Sequence, residues 1–146
     1  MKKSVQRPGR ILYAEDNSFD LELAVAAFER TNLSDSLDIV RDGQEAIDYF
    51  FDKSDEDQLP VVAILDLNMP KLSGLDVLKK IKSHDRYKKV PVVILTSSQM
   101  ESDVKRSYEY GVNAFVVKPI DFEDFTEVVK SIGDFWVNFN RTSYKV

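Results

Sequence analysis

Four short, uninterrupted apolar runs divide the chain, at 11–14, 61–65, 92–95 and 114–117, and a weaker one, Leu37-Asp38-Ile39-Val40, alternates as an edge strand would. Runs that are apolar at every position suit strands covered on both faces, as parallel sheets require. Between them the apolar spacing turns helical. Leu21, Ala24, Val25 and Phe28 form a stripe behind a cap at Asn17 or Ser18, and Gly43 opens a segment with Ala46, Ile47 and Phe50. Leu75, Leu78 and Ile81 mark a third helix, Val104 and Tyr108 a fourth that stops at Gly111, and Phe122, Phe125, Val129, Ile132 and Trp136 a fifth. Strand and helix thus alternate five times, and right-handed crossovers place helices on both faces of one parallel sheet. The chain is predicted to be a single doubly wound α/β sandwich.

Its 146 residues suit one domain with a real core. Cysteine is absent, which removes disulfides and thiolate metal sites and fits a reducing compartment. With 25 acidic against 20 basic residues the net charge is −5, which argues against nucleic acid and anionic lipid as partners. Lys79-Lys80-Ile81-Lys82 and Lys88-Lys89 read as solvated edges of a helix and a loop. Residues 1–9 read as a flexible lead without the apolar stretch of a signal peptide, and no segment approaches membrane-spanning length. A cytoplasmic protein is expected. Ser54-Asp55-Glu56-Asp57-Gln58 lacks the central Gly and terminal Glu of a calcium loop and reads as solvated. His84, the one histidine, also reads as a solvated residue far from any site.

In a parallel sheet all strand carboxyl ends share one edge, where open α/β sheets bind their ligands. Strand one ends in Glu15-Asp16, strand three in Asp66, strand four in Thr96-Ser97 and strand five in Lys118-Pro119. Three carboxylates about 4 Å apart repel by several kcal/mol per pair at a surface-like dielectric, so they need protons or a cation. Magnesium, a hard oxygen-seeking ion, suits such a cluster. An aspartate beside it, with a hydroxyl and an ammonium at hand, is equipped to attack a phosphoryl group. Asp66 would be the nucleophile, Thr96 and Lys118 would contact phosphoryl oxygens, and the Asn68 carbonyl would join the metal. Lys118 adds charge to a site formed mainly by backbone and carboxylates, so its removal is expected to leave the fold nearly intact. The bond before Pro119 is read as cis, aiming the lysine inward, with a trans turn as the alternative.

The set Glu15-Asp16, Asp66-Leu67-Asn68-Met69-Pro70 with Gly74, Thr96-Ser97 and Lys118-Pro119 resembles the receiver domain of two-component response regulators, over residues 10–132. The resemblance implies a flavodoxin-like fold with strand order 2-1-3-4-5, the order known from that class. It implies Asp66 as phosphoacceptor, Mg²⁺ held by Glu15, Asp16, Asp66 and the Asn68 carbonyl, and Thr96 with Phe115 as the switch pair. A sensor histidine kinase would then be the phosphodonor. The long stretch between Gly43 and Asp66, and the tail from Ile132 to Trp136, are similar to single-domain regulators that serve bacterial phytochromes. Its chemistry would be limited to accepting and losing one phosphoryl group, with output through protein contacts or onward phosphorelay, since no effector domain is expected to follow.

A haloacid-dehalogenase-type phosphohydrolase also uses a strand-end aspartate and magnesium, but it needs an acid two residues on, where Asn68 stands. A degenerate receiver acting only as an interaction module would have lost Asp66, the acidic pair or Lys118, and all are present. No glycine-rich phosphate loop supports a nucleotide-binding fold. Beyond 132, residues 133–146 read as a helix extension or tail. Phe125, Val129, Ile132, Trp136 and Phe139 continue one stripe, which predicts exposed Trp136 and Phe139 and a homodimer through the last strand and helix. The alternatives are a tail folded back over its own core, or a loose one after Gly133.

Overall fold

The computed structural model describes residues 9–54 and 57–146. Residues 1–8 of the expected lead at 1–9, with Asp55 and Glu56 of the acidic loop, lie outside the described residues. Strands β1 (Ile11–Ala14), β2 (Leu37–Val40), β3 (Val62–Leu65), β4 (Val92–Thr96) and β5 (Ala114–Val117) form one sheet in the order β2-β1-β3-β4-β5. Every pairing is parallel, with Ala14 beside Val40 and Leu65, and Leu65 beside Ile94. This is the flavodoxin-like strand order that the sequence led us to expect.

The sheet interior explains why its central strands carry no polar residue before their carboxyl ends. Leu12, Ala14, Ala63, Leu65, Val92 and Ile94 turn to one face, and Ile11, Tyr13, Val62, Ile64, Val93 and Leu95 to the other. Helices α2 (Gly43–Phe51) and α3 (Gly74–Lys82) cover the first face with Ala46, Ile47, Phe50, Val77, Leu78 and Ile81. Helices α1 (Ser18–Arg30) and α5 (Phe122–Gly133) cover the second with Ala24, Ala27, Phe28, Phe125, Val129 and Ile132. Helix α4 (Glu101–Glu109) is the loosely held one: of its residues Ser107 alone is buried, and its cap at Met100 makes no side-chain hydrogen bond. The other helices start on side-chain caps: Asn17, Asp42, Ser73 and Asp121 each accept an amide of the first turn.

Three expectations are corrected. Trp136 is half-buried against the α1–α5 core, because α5 continues as a π-helical turn (Asp134–Phe139) that keeps turning it inward. Phe139 is exposed, as expected, and so is Phe135. The chain then folds back across the amino-terminal end of the sheet: the Leu59 amide donates to the Lys145 carbonyl at 3.1 Å, and the Tyr144 hydroxyl to the Pro60 carbonyl at 2.8 Å. The helical path does not stop at Gly133, where α5 passes directly into the π-helical turn. A Cβ there would lie 2.0 Å from Leu33 Cδ1, so glycine permits the close approach of α5 to the end of α1. His84 is half-buried rather than solvated: its ring stacks on Tyr87 at 4.0 Å, and its Nδ1 accepts the Arg86 and Tyr87 amides. Lastly, the described peptide bonds, including Lys118–Pro119, are all trans.

Candidate phosphoryl-acceptor site

The carboxyl ends of β1, β3, β4 and β5 converge on one buried polar cluster. Glu15 follows β1 and is 1 % exposed; Asp66 follows β3 and is 6 % exposed; Thr96, the last residue of β4, is fully buried. Lys118, the first residue after β5, sends its ammonium into this cluster. It donates to Asp66 Oδ2 at 2.7 Å, to Asp20 Oδ2 at 3.1 Å and to Glu15 Oε1. The other Asp66 oxygen, Oδ1, accepts the Thr96 hydroxyl at 3.1 Å and the Asn68 amide at 3.0 Å. Both oxygens of Asp66 are therefore aimed by fixed donors.

Electrostatics follow from this packing. Burial pushes the Glu15 carboxyl up to about 7, against the opposing pull of the Lys118 hydrogen bond, and the Asp66 charge adds to the rise. Burial would lower the Lys118 ammonium, but its hydrogen bonds to Asp66 and Glu15 outweigh this and hold it above its usual range. One ammonium among three carboxylates leaves the cluster negative.

The loop after Asp66 is held in place by close packing. The Gly74 amide donates to the Leu67 carbonyl at 3.0 Å, and a Cβ on Gly74 would sit 2.2 Å from the Asp66 carbonyl oxygen. No other residue type fits there without displacing the segment that carries Asp66. The donor set continues toward α4. The Ser98 amide donates to Thr96 Oγ1 at 3.3 Å, while the Ser98 hydroxyl donates to Asp103 Oδ2 at 2.6 Å and accepts the Met100 amide at 3.3 Å.

Of the residues expected from sequence, Glu15, Asp66, Thr96 and Lys118 meet directly, and Asn68 reaches Asp66 through its amide. Asp16 is half-exposed at the rim; its carbonyl accepts the Arg41 guanidinium at 3.1 Å. Among the described residues, Glu15, Asp20 and Asp66 are the three carboxylates whose oxygens lie within 4.8 Å of one another. Asp20 went unnoticed because an acid in a helix's first turn is sufficiently explained by the helix dipole. Its place in the first turn of α1, directly after the Glu15-Asp16 end of β1, is the available signal, since that turn lies at the same sheet edge. Phe115, on β5, is half-buried and packs against the α2–α3 core.

A clustered triad of carboxylates is a hard-oxygen donor set, which divalent cations such as magnesium or manganese match. The family model for the response regulator receiver domain matches residues 11–130. The chain belongs to the response regulator receiver family. A probable methanogenesis regulatory protein, FilR2 of Methanothrix harundinacea, is 38 % identical over 136 residues, which span 92 % of this chain and 88 % of that one. Response regulator Rcp1 of Synechocystis is 35 % identical over 132 residues, 89 % of this chain and 90 % of Rcp1. A crystal structure of Rcp1 in its Mn(2+)-bound form superposes with a TM-score of 0.81 over 92 % of this chain and 99 % of that one, at 34 % identity. The phosphorylated cyanobacterial phytochrome response regulator RcpA superposes with a TM-score of 0.84 over 94 % of this chain and 99 % of RcpA, at 32 % identity. As a receiver, the chain is a phosphoryl acceptor in histidine-kinase signalling. Among the described residues, no helix is long and apolar enough to cross a membrane.

Proposed function

We propose that Asp66 is the phosphoacceptor of this receiver and that the unit comprises residues 10–132, preceded by 1–9 and followed by the extension 133–146. The observation that carries this reading is the double clamp on Asp66, whose Oδ1 and Oδ2 are held by Thr96 and Lys118. A carboxylate oxygen of Asp66 attacks phosphorus of a kinase phosphohistidine. The new O–P bond forms as the N–P bond breaks, and the leaving imidazole takes its proton from solvent. The Thr96 hydroxyl, the Asn68 amide and the Lys118 ammonium then turn from Asp66 to the phosphoryl oxygens, where their charge is needed. Glu15, Asp16, Asp66 and the Asn68 carbonyl would hold Mg²⁺, with Asp20 as the additional acid that the fold places beside them. Bound there, the ion would offset the excess negative charge and polarise the phosphoryl group. Thr96 acts with Phe115 as the switch, and Ser98 passes any shift of Thr96 to the start of α4.

The kinase partner we propose is a bacterial phytochrome, by likeness to RcpA, and the compartment is the cytoplasm. A homodimer through the last strand and helix is supported by the exposed Val117, Phe135 and Phe139. A small phosphodonor with Mg²⁺ is expected to add one alkali-labile phosphoryl group to the wild-type chain and none to Asp66→Asn. Undiminished phosphorylation of Asp66→Asn would overturn the assignment.

A further inference from the structure

The charges of this acidic chain are segregated. Residues 71–89 hold seven of the 20 Lys and Arg and only Asp76 and Asp85 of the 25 acidic residues, a local +5 on a chain of net −5. That segment is α3 with its two flanks, and beside it lies a groove of about 590 Å³ lined by Phe51, Leu72, Asp76, Lys79, Lys80, Ser83 and His84. Its apolar part is the Phe51 ring, 44 % exposed and held edge-on to Tyr87 and His84, together with the half-buried Leu72. Asp76 keeps its charge but turns Oδ2 to the Ser73 hydroxyl and amide, so two lysines face one carboxylate at the groove. Lys82 and Arg86 are engaged with carbonyl oxygens, which leaves Lys79 and Lys80 as the groove's cations. Lys79 also approaches the Tyr110 ring, 5.6 Å from its centroid.

We infer that the α2–α3 groove docks an acidic, amphipathic helical segment of a partner protein, with apolar side chains on Phe51 and Leu72 and carboxylates on Lys79 and Lys80. An aromatic-floored groove with a cationic rim matches that ligand in both shape and charge. A nucleic acid is a poorer match, because the remainder of the chain is strongly acidic and the groove floor offers no cation to a phosphate backbone. The groove is tied to the phosphoryl site by its own floor. Leu72 lies in the segment between Asp66 and Gly74, and its carbonyl packs so closely on Gly43 that a Cβ there would lie 2.0 Å away. A shift of that segment on phosphorylation therefore moves either Leu72 or the start of α2. The inference rests on the reading that this receiver signals through protein contacts, yet docking itself needs no phosphoryl group.

The test uses the unphosphorylated full chain, so its outcome is independent of the chemistry at Asp66. The probe is a fluorescein-labelled designed helix with Leu and Phe along one face and Glu on the others, followed by fluorescence anisotropy and by amide shifts in NMR. Binding is expected to perturb Phe51, Leu72 and His84, and to weaken about tenfold in Lys79→Glu/Lys80→Glu and in Phe51→Ala, a loss typical of anchor and paired-charge removal. Amide spectra of both variants, unchanged away from the groove, establish that they fold. The same helix with Gln in place of Leu and Phe, or with Lys in place of Glu, is expected to bind at least tenfold more weakly. Absence of binding, shifts that map elsewhere, equal affinity in the variants, or a single-stranded oligonucleotide that binds the groove as tightly would each overturn the proposal.

Discussion

Lys118 is a structural counter-ion as well as the proposed phosphoryl contact. Its ammonium is the cation that lets the buried Glu15 and Asp66 carboxylates share one end of the sheet with Asp20. Removing it leaves Glu15 without its ion pair in a position 1 % exposed. The sequence-based expectation that the fold would barely notice is therefore revised. Lys118→Ala is expected to lower stability in metal-free buffer by roughly 1–3 kcal/mol, the usual penalty for stranding a buried polar group. Adding Glu15→Gln to that variant should recover much of the loss, because a neutral amide needs no counter-ion. Urea denaturation of the wild type, both single variants and the double variant measures the coupling directly. Additive effects would mean that Lys118 and Glu15 do not share the pairing described.

At the scale of elements, the strap formed by residues 140–146 closes the α2–α3 core from below. Tyr144 packs against that core, and burial pushes its phenol above the usual range. Tyr144→Phe is expected to cost about 1 kcal/mol, one net hydrogen bond. Tyr144→Ala should cost about 2 kcal/mol or more, since ring burial is lost as well; thermal melts would show the order wild type, Phe, Ala. Equal melting temperatures for all three would mean that the strap does not hold in solution. The strands were legible to within a residue because a buried parallel strand is apolar at every position and ends abruptly where the polar site begins. Of the helix caps, only that of α1 was legible, as Asn17 or Ser18, whereas those at Asp42 and Ser73 come from the structure. The strap was not legible. An apolar stripe at steps of three and four reads the same whether Trp136 packs on its own core or on a second copy, and one tyrosine among the mostly polar residues 140–146 carries no periodicity. His84 was misread for a related reason, since stacking on Tyr87 and accepting two amides leave no pattern in sequence.

Across the whole molecule, the sheet gathers the chemistry at its carboxyl edge, while the tail braces the opposite edge. Exposed Phe135 and Phe139 lie on the extension that leads from α5 into this brace, and they are the apolar groups through which two copies would meet. Sedimentation of the wild type at high micromolar concentration is expected to show a dimer that Phe139→Ala weakens. A monomer under those conditions, with or without a phosphoryl mimic, removes the dimer. The site was legible in outline because its residues close the strands, and its third clustered acid was hidden in the first turn of α1. In the proposed chemistry, one oxygen of Asp66 carries the phosphoryl group. After phosphorylation with a small phosphodonor and Mg²⁺, borohydride reduces an acyl phosphate to an alcohol, and peptide mass mapping locates the altered residue. Homoserine is expected at position 66 and nowhere else. Reduction at Glu15, Asp16 or Asp20 in place of Asp66 would contradict it.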